Sequence, residues 1–537
     1  YQNQVTRVQG PFSLRMFHRS FGLLLLQSNI EGPCTLLDFP SMDIFIQELK
    51  QSAYDIIGIS AIIPNVEKVK KMCQLIRQYQ PDAIIVVGGH ISNKGGIDES
   101  IDADHIVRGD GVKWFRRFLG QDVTAPVKHP MAYSAFGART MGITLPDKPG
   151  DTAAILIPSV GCPVGCNFCS TSALFGGKGK FVSFFETGDE LFDVMCQLEK
   201  TLKIQSFFVL DENFLIHRKR ALRLMELMQA NSKSWLLNVF SSARVLKSYT
   251  MAQLTGLGIG WVWMGLEGRQ SEYAKLSGID TRELVADLQA NGIRVLGSSI
   301  IGLEAHTPEN IDAVIAYAVS HNTVFHQFML YTPIPGTPLY EQHRQAGTLF
   351  SESKMPSADA HGQYRFNYRH RHIPEGHEQR YLLNAFNRDF EVNGPSLARL
   401  VRVLLTGWRK YKHDPQARIR KRFAFETSGL RSTWAGAVWA MRRKYRHNPE
   451  LFSELSDILN NIYREFGLKT RLIAPVVGRY LLVTTRLQER RMASGGTLEP
   501  GCFYEKNRAA RTLATGPRAE TVRGEPGKIE WAGGVPT

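Results

Sequence analysis

Seven cysteines in 537 residues are too few to staple a secreted fold, and three of them share one loop. A reducing, cytoplasmic setting is therefore expected. Long apolar runs are also missing. The longest near the start, Phe21 to Leu26, falls far short of the roughly 18 residues that cross a bilayer, so no transmembrane segment is expected. No secretory leader pattern is present, although a chain that opens on Tyr1 leaves room for an upstream start. Acidic residues are in deficit, 50 against 65 Lys and Arg, for a formal charge of +15. The excess cations gather towards the C-terminus, where peripheral contact with anionic lipid, or plain solubility, is favoured over nucleic acid. No serine triad, zinc-protease motif or paired-carboxylate signature occurs.

One run stands out against this background. Ser159-Val160-Gly161-Cys162-Pro163-Val164-Gly165-Cys166-Asn167-Phe168-Cys169 follows the apolar segment Ala153 to Ile157, which reads as a strand. Three thiols spaced Cys-x-x-x-Cys-x-x-Cys on a Gly- and Pro-containing loop do not make a disulfide framework, and a structural zinc site normally supplies four ligands. An iron–sulfur cluster held by three thiolates leaves one iron open to an outside chelator. That reading fits best, with zinc binding or simple packing as the plain alternative. Cys34, Cys73, Cys196 and Cys502 are scattered and read as incidental thiols.

The run resembles the signature of the radical S-adenosylmethionine superfamily, including the aromatic Phe168 before the third cysteine. The resemblance implies that Cys162, Cys166 and Cys169 hold a 4Fe–4S cluster and that S-adenosylmethionine chelates the open iron. It further implies an external one-electron reductant of the flavodoxin or ferredoxin type, and a 5′-deoxyadenosyl radical that attacks an unactivated C–H bond.

The length suggests three to four domains of about 150 residues. Within residues 1–120, Cys34 to Asp38, Tyr54 to Ser60 and Ala83 to Val87 read as strands, and Met42 to Gln51 and Asn65 to Tyr79 as helices. Phe12 to Phe17 is a weaker strand candidate. This alternation predicts a parallel, doubly wound (Rossmann-like) sheet, whose ligands sit beyond the carboxyl ends of its strands. Ser60, Gly88, Gly89, His90, Gly109 and Gly111 all fall there. The order of segments, with Ile57 to Ser60, Val87 to Gly89 and Val107 to Gly111 as matching points, resembles the cobalamin-binding domain that precedes many radical S-adenosylmethionine enzymes. Those six residues are then the implied cobalamin contacts. The Asp-x-His-x-x-Gly phrase that supplies a cobalt ligand is absent, so His90 is read either as a cofactor contact or as an ordinary loop histidine.

Residues 121–150 are rich in Pro, Gly and polar side chains and read as a linker. From 151 to 346 six apolar segments, Ala153–Pro158, Ser206–Leu210, Trp235–Phe240, Trp261–Leu266, Ile293–Ile301 and Phe325–Tyr331, alternate with helical stretches. They predict a partial (βα)6 barrel with its site at the carboxyl rim. By resemblance, Asp211, Glu212 and Asn213 would meet the methionyl amine, Ser242 and Arg244 the ribose or carboxylate, and Ile300 with Gly302 the adenine. Glu267 and Phe168 complete the implied S-adenosylmethionine set. Taken residue by residue, these polar groups are equally well read as caps and strand-end hydrogen-bonding groups. Ser298 stands where the family often has Gly. Gly176 to Lys180 lacks the Gly-Lys-Ser/Thr ending of a phosphate loop and reads as a flexible loop near the cluster, whereas Tyr331 to Tyr340, with three prolines, reads as a stiff exit loop.

Residues 347–492 read as a helical, basic domain and 493–537 as a disordered tail. His370, His372 and His377 have no metal spacing and read as a surface cluster. The expected architecture is thus α/β with a helical C-terminal extension. The expected activity is radical chemistry on a small-molecule or lipid substrate, with cobalamin-dependent methyl transfer foremost. A non-methylating cyclisation or carbon–carbon coupling, and a cluster-bearing binding protein without turnover, are the alternatives.

Overall fold

Short apolar runs separated by amphipathic stretches fold into the expected α/β layers in the computed structural model, which describes residues 14–15, 19–133, 139–141, 143–144, 152–267, 278–494 and 503–506. The N-terminal part runs α1 (Phe21–Asn29), β1 (Thr35–Asp38), α2 (Met42–Gln51), β2 (Ile56–Ser60), α3 (Val66–Tyr79), β3 (Ile84–Gly88), β4 (His105–Ile106) and α4 (Gly111–Phe118). Strands β2, β3 and β4 are parallel in that order, with Ile56 opposite Ile84 and Val86 opposite His105. Strand side chains alternate between faces. Ile59, Ile85 and Val87 therefore share one core with Phe45 and Leu49 of α2 and Val69, Cys73 and Ile76 of α3, while Phe115 of α4 lies over Gly58 on the other face. Both faces are covered, as a parallel sheet requires.

Strand β1 departs from the expectation that it extends this sheet. It pairs antiparallel with Phe503–Lys506, Thr35 opposite Lys506, so at these four residues the expected disordered tail is an ordered strand. An edge strand needs a partner for its free N–H and C=O groups, and here a late segment of the same chain supplies it. Residues 495–502, including Cys502, and 507–537 lie outside the described residues. The expected linker is also partly paired. Arg139–Thr140 forms ladders with both Ile143–Thr144 and Leu14–Arg15, while residues 134–138, 142 and 145–150 lie outside the described residues.

The central sheet has six parallel strands in sequential order, β5 (Ala154–Leu156), β6 (Ser206–Val209), β7 (Leu236–Phe240), β8 (Ile259–Glu267), β9 (Arg294–Ile301) and β10 (Phe325–Leu330). The helices between them include α5 (Ser170–Leu174), α6 (Gly188–Leu202), α7 (Arg218–Ala230), α8 (Ala243–Lys247), α9 (Met251–Gly256), α10 (Thr281–Ala290) and α11 (Ile311–Val319). Helix α6 starts on a reciprocal capping box of Thr187 and Glu190, which satisfies two orphan N–H groups. Phe207, Leu237, Val262, Met264 and Val295 from the strands meet Leu191, Leu224 and Leu284 from the helices in one buried core. Helices α1 and α4 dock on this barrel, for Phe21, Leu24, Leu25 and Val112 pack with Ile155 and Ile157.

After the barrel come α12 (Pro338–Gln345), α13 (His377–Asn393), α14 (Ser396–Tyr411), α15 (Ala417–Glu426), α16 (Thr433–Lys444) and α17 (Pro449–Ala493), the last broken at Gly467, where φ is 76°. Helix α15 is fastened to the barrel by a buried ionic triad. Glu426 accepts from Arg294 of β9 at 2.5 Å and from Arg422 at 2.6 Å, and Arg422 also donates to the Thr255 and Ile259 carbonyls. Each guanidinium nitrogen of Arg422 is thereby hydrogen-bonded, as a buried charge demands. The expected surface histidine cluster is only partly at the surface. His370 is buried, its ring stacked on Phe366 and its Nδ1 accepting from the His372 and Ile373 amides, while His372 is exposed.

Candidate active site

The cysteine loop leaves the end of β5. Ser159–Val160 pairs antiparallel with Val182–Ser183, so the intervening segment returns to its origin and holds the cysteines over the carboxyl rim. Within it the Cys169 amide donates to the Cys166 carbonyl at 3.0 Å, and the Ser172 hydroxyl donates to the Cys162 carbonyl at 3.0 Å. Cys169 caps α5, its Sγ accepting from the Ser172 amide at 3.5 Å. All three cysteines are free thiols, half-buried. Burial pushes the Cys162 thiol up to about 11, and the neighbouring Cys169, Cys166 and Glu212 charges add to the shift against the Val164 amide. Four anion-forming groups thus crowd one place, which fits a cationic iron–sulfur cluster. A cubane takes one thiolate per iron, so its cysteines surround it instead of converging on a point. Among the described residues, no three His, Cys, Asp or Glu side chains converge on a single ion position.

The loop is clamped from the far side of the barrel. Phe168 packs with Ile300, Tyr331, Leu339 and Leu303. The Leu339 amide donates to the Asn167 carbonyl at 3.0 Å, and Asn167 Nδ2 donates to the Tyr331 hydroxyl at 3.3 Å. Tyr331 opens the proline-rich stretch after the sixth strand and Leu339 lies in the first turn of α12 at its end, so that stretch braces the cysteine loop after the first strand.

The polar strand ends divide into struts and open groups. Asp211 accepts from Ser159, from Arg220 at 2.7 Å and from the Asn213 amide at 3.0 Å, with the Arg220 pair fully buried. Its carboxylate is therefore committed within the protein. Asn213 bridges the ends of β6 and β7, accepting from the Ser241 hydroxyl and the Ser242 amide and donating to Ser242 Oγ. Glu212 differs from both, because its Oε2 is buried with no hydrogen-bond partner among the described residues. Burial, with Asp211 adding, pushes its carboxyl up to about 7 against the backbone amides of Glu212 and Gly161.

Arg244 is exposed on the first turn of α8, and Glu267 is buried at the end of β8 with φ 34°. Ile300 is buried beside Phe168. Gly302 has φ +85°, and a Cβ there would stand 2.4 Å from Phe366 Cζ. Its amide donates to His306 Nδ1 at 3.0 Å, and its carbonyl accepts from the Tyr368 hydroxyl at 3.3 Å. Both backbone groups are used internally, and Gly302 is itself buried beneath Phe366.

The N-terminal sheet presents its own carboxyl ends towards this rim. The turn at His90–Asn93 packs against α5, and Asn93 stands where a Cβ on Gly336 of the exit loop would be, 2.7 Å away. Ser60 is exposed at the end of β2. Gly89 has φ +83°, and a Cβ there would lie 2.7 Å from the Ala61 carbonyl oxygen, a backbone approach open only to glycine. Gly109 and Gly111 flank Asp110, the N-cap of α4, and Gly88 lies beside Val107. His90 Nδ1 is buried with no hydrogen-bond partner among the described residues, and burial lowers the ring's pKa. A neutral imidazole with an unanswered nitrogen fits a site built for a polar cofactor group.

Sequence reasoning missed the braces, namely Ser159 and Arg220 on Asp211, Asn167 and Tyr331 on the cysteine loop, and His306 and Phe366 on Gly302. Nothing in the linear pattern says which polar or aromatic side chain will turn towards which partner, whether the two are four residues apart, as Gly302 and His306, or 164, as Asn167 and Tyr331.

Residues 24–119 match the B12 binding domain family. The chain is similar to the bacteriochlorophyllide d C-12(1)-methyltransferase of Chlorobaculum tepidum, 23% identical over 60% of this chain and 72% of that protein. It is also similar to the anaerobic magnesium-protoporphyrin IX monomethyl ester cyclase of Cereibacter sphaeroides, 23% identical over 59% of this chain and 58% of that protein. The solved structure of the radical S-adenosylmethionine methyltransferase TsrM from Kitasatospora setae, with cobalamin and a 4Fe–4S cluster bound, matches with a TM-score of 0.47 at 15% identity, over 72% of this chain and 90% of that one. Residues 24–119 thus match the B12 binding domain family, and they stand ahead of a six-stranded parallel sheet whose first strand leads into the three-cysteine loop.

Proposed function

We propose that the protein is a radical S-adenosylmethionine enzyme that transfers a methyl group, with cobalamin, to an unactivated carbon of a small-molecule substrate. The observation that carries this reading is the packing of the His90–Asn93 turn against α5, the helix that Cys169 caps. It brings the ligand ends of the two sheets together, so that groups bound at each would face one another.

When bound, the cluster and S-adenosylmethionine supply the radical, and cobalamin supplies the methyl carrier. The protein's part is position and exclusion of water. Cys162, Cys166 and Cys169 would hold the cluster, with Phe168 shielding it on the barrel side. Glu212 is the acidic group best placed for the methionyl amine, since Asp211 is occupied by Arg220. Ser242 and Arg244 would meet the ribose or carboxylate, Ile300 with Gly302 the adenine, and Glu267 would complete the S-adenosylmethionine set. Ser60, Gly88, Gly89, His90, Gly109 and Gly111 would line the cobalamin side. A one-electron donor of the flavodoxin or ferredoxin type and a cytoplasmic setting complete the reading.

The test is anaerobic purification with iron, sulfide and corrinoid quantified, followed by reductant and S-adenosylmethionine. The expected products are 5′-deoxyadenosine and S-adenosylhomocysteine, both lost in Cys166→Ala. A second reading, radical cyclisation without methylation, is favoured by the similarity to a cyclase. It predicts 5′-deoxyadenosine without S-adenosylhomocysteine. An intact, reducible cluster yielding neither product would leave substrate-gated turnover or a cluster-bearing binding protein without turnover.

A further inference from the structure

The second half of α17 wears its apolar residues on the outside. Beyond the break at Gly467 its buried positions are Thr470, Ala474, Gly478, Leu481, Thr485 and Gln488, mostly small or polar. They let the helix lie close on α16, where a Cβ on Gly478 would stand 2.4 Å from Trp439. The opposite face carries Leu468, Leu472, Val476, Tyr480, Val483 and Leu487, each between 56% and 70% exposed. Their spacing keeps them on one side of a 3.6-residue helix, in a stripe roughly 30 Å long at 1.5 Å per residue. A contiguous apolar patch of this kind marks an interaction surface.

The charges around the stripe select its partner. No Asp or Glu occurs from Phe466 to Gln488, while Lys469, Arg471, Arg479 and Arg486 are exposed in the same stretch. Two such stripes facing each other would bring like charges together without a carboxylate to answer them. An anionic bilayer surface answers both features, taking the apolar residues at its acyl boundary and the cations at its headgroups. No helix among the described residues is long and apolar enough to cross a membrane, so the contact lies in the plane of the interface.

We propose that the face of α17 from Leu468 to Leu487 seats this protein on an anionic lipid surface. Vesicle binding needs neither the cluster nor cobalamin, so the proposed reaction and this contact fail or stand separately.

Flotation of the full chain with phosphatidylcholine vesicles, with and without phosphatidylglycerol, tests it. At least tenfold greater recovery with the anionic vesicles is expected, falling at least tenfold in Leu472→Gln/Val476→Gln/Val483→Gln/Leu487→Gln at an unchanged thermal midpoint. Tyr480→Trp, a change at an exposed position, keeps the test open if the quadruple variant misfolds. Its added fluorescence should be quenched by brominated lipid in anionic vesicles. No recovery with phosphatidylglycerol, recovery undiminished in a folded quadruple variant, or no quenching of Trp at 480 would overturn the proposal. So would light scattering that shows a dimer in the native chain and a monomer in the quadruple variant.

Discussion

Phe168 meets Tyr331 edge to face, ring centroids 6.0 Å apart and planes at 68°. The residue before the third cysteine is thus braced by the first residue beyond the sixth strand. Truncating the ring in Phe168→Ala should cost about 1–2 kcal/mol, because the side chain is only half-buried. It should also loosen the loop enough to lower iron retained after anaerobic gel filtration. Phe168→Leu should keep most of the iron, which metal analysis of both variants checks.

Gly302 is intolerant of a side chain on two counts, its φ of +85° and the approach of Phe366 to within 2.4 Å of a Cβ. Gly302→Ala should destabilise by about 3 kcal/mol, from backbone strain and overpacking together. Adding Phe366→Leu should recover only part of that, since it relieves the clash and leaves the dihedral. Denaturant midpoints of the single and double variants measure the split.

Glu426 is the sole carboxylate between Arg294 and Arg422 in the buried triad that fastens α15 to the barrel. Glu426→Gln leaves two buried guanidiniums without a countercharge among the described residues and should cost about 3–5 kcal/mol. By contrast, Arg402→Ala breaks a half-exposed pair with Glu454 and should cost under about 1 kcal/mol. Urea unfolding of the two variants side by side distinguishes a fastening from a surface ornament.

Buried histidines make the fold acid-sensitive, His129, His306 and His326 most of all. Burial lowers His129 from 6.5 to about 4, His306 to about 4 with His370 adding, and His326 to about 3. Each ring takes its proton more readily unfolded than folded. Their contribution to stability is therefore complete above about pH 6.5 and is lost as pH falls towards the folded values. At pH 5 each should cost about 2 kcal/mol relative to pH 7. His129 Nε2 accepts from the Ile157 amide and its Nδ1 bonds the Pro130 carbonyl. His129→Gln keeps an acceptor without the proton, and should flatten the fall in denaturant midpoint between pH 7 and pH 5.

The strand and helix pattern was legible locally. Six apolar segments separated by amphipathic helices, and three cysteines in one loop, needed only neighbours within a few positions to be read, and the barrel strands lie where that pattern put them. Residues 54 to 88 were equally readable, because a buried parallel strand is apolar throughout and its helix is apolar on one face. Thr35–Asp38 shows where such reading stops. Its composition marks a strand, but only the fold could bring Phe503–Lys506 beside it, since pairing across the length of the chain leaves no periodic trace. The same limit governs the site. Asp211 looks like a ligand group in sequence, and Arg220 and Ser159 make it a strut; Glu212 beside it is left to face the cysteines. A carboxylate's chemistry depends on which charges and amides the tertiary structure puts within a few ångströms of it, and that choice is made by packing between segments that the linear order keeps apart.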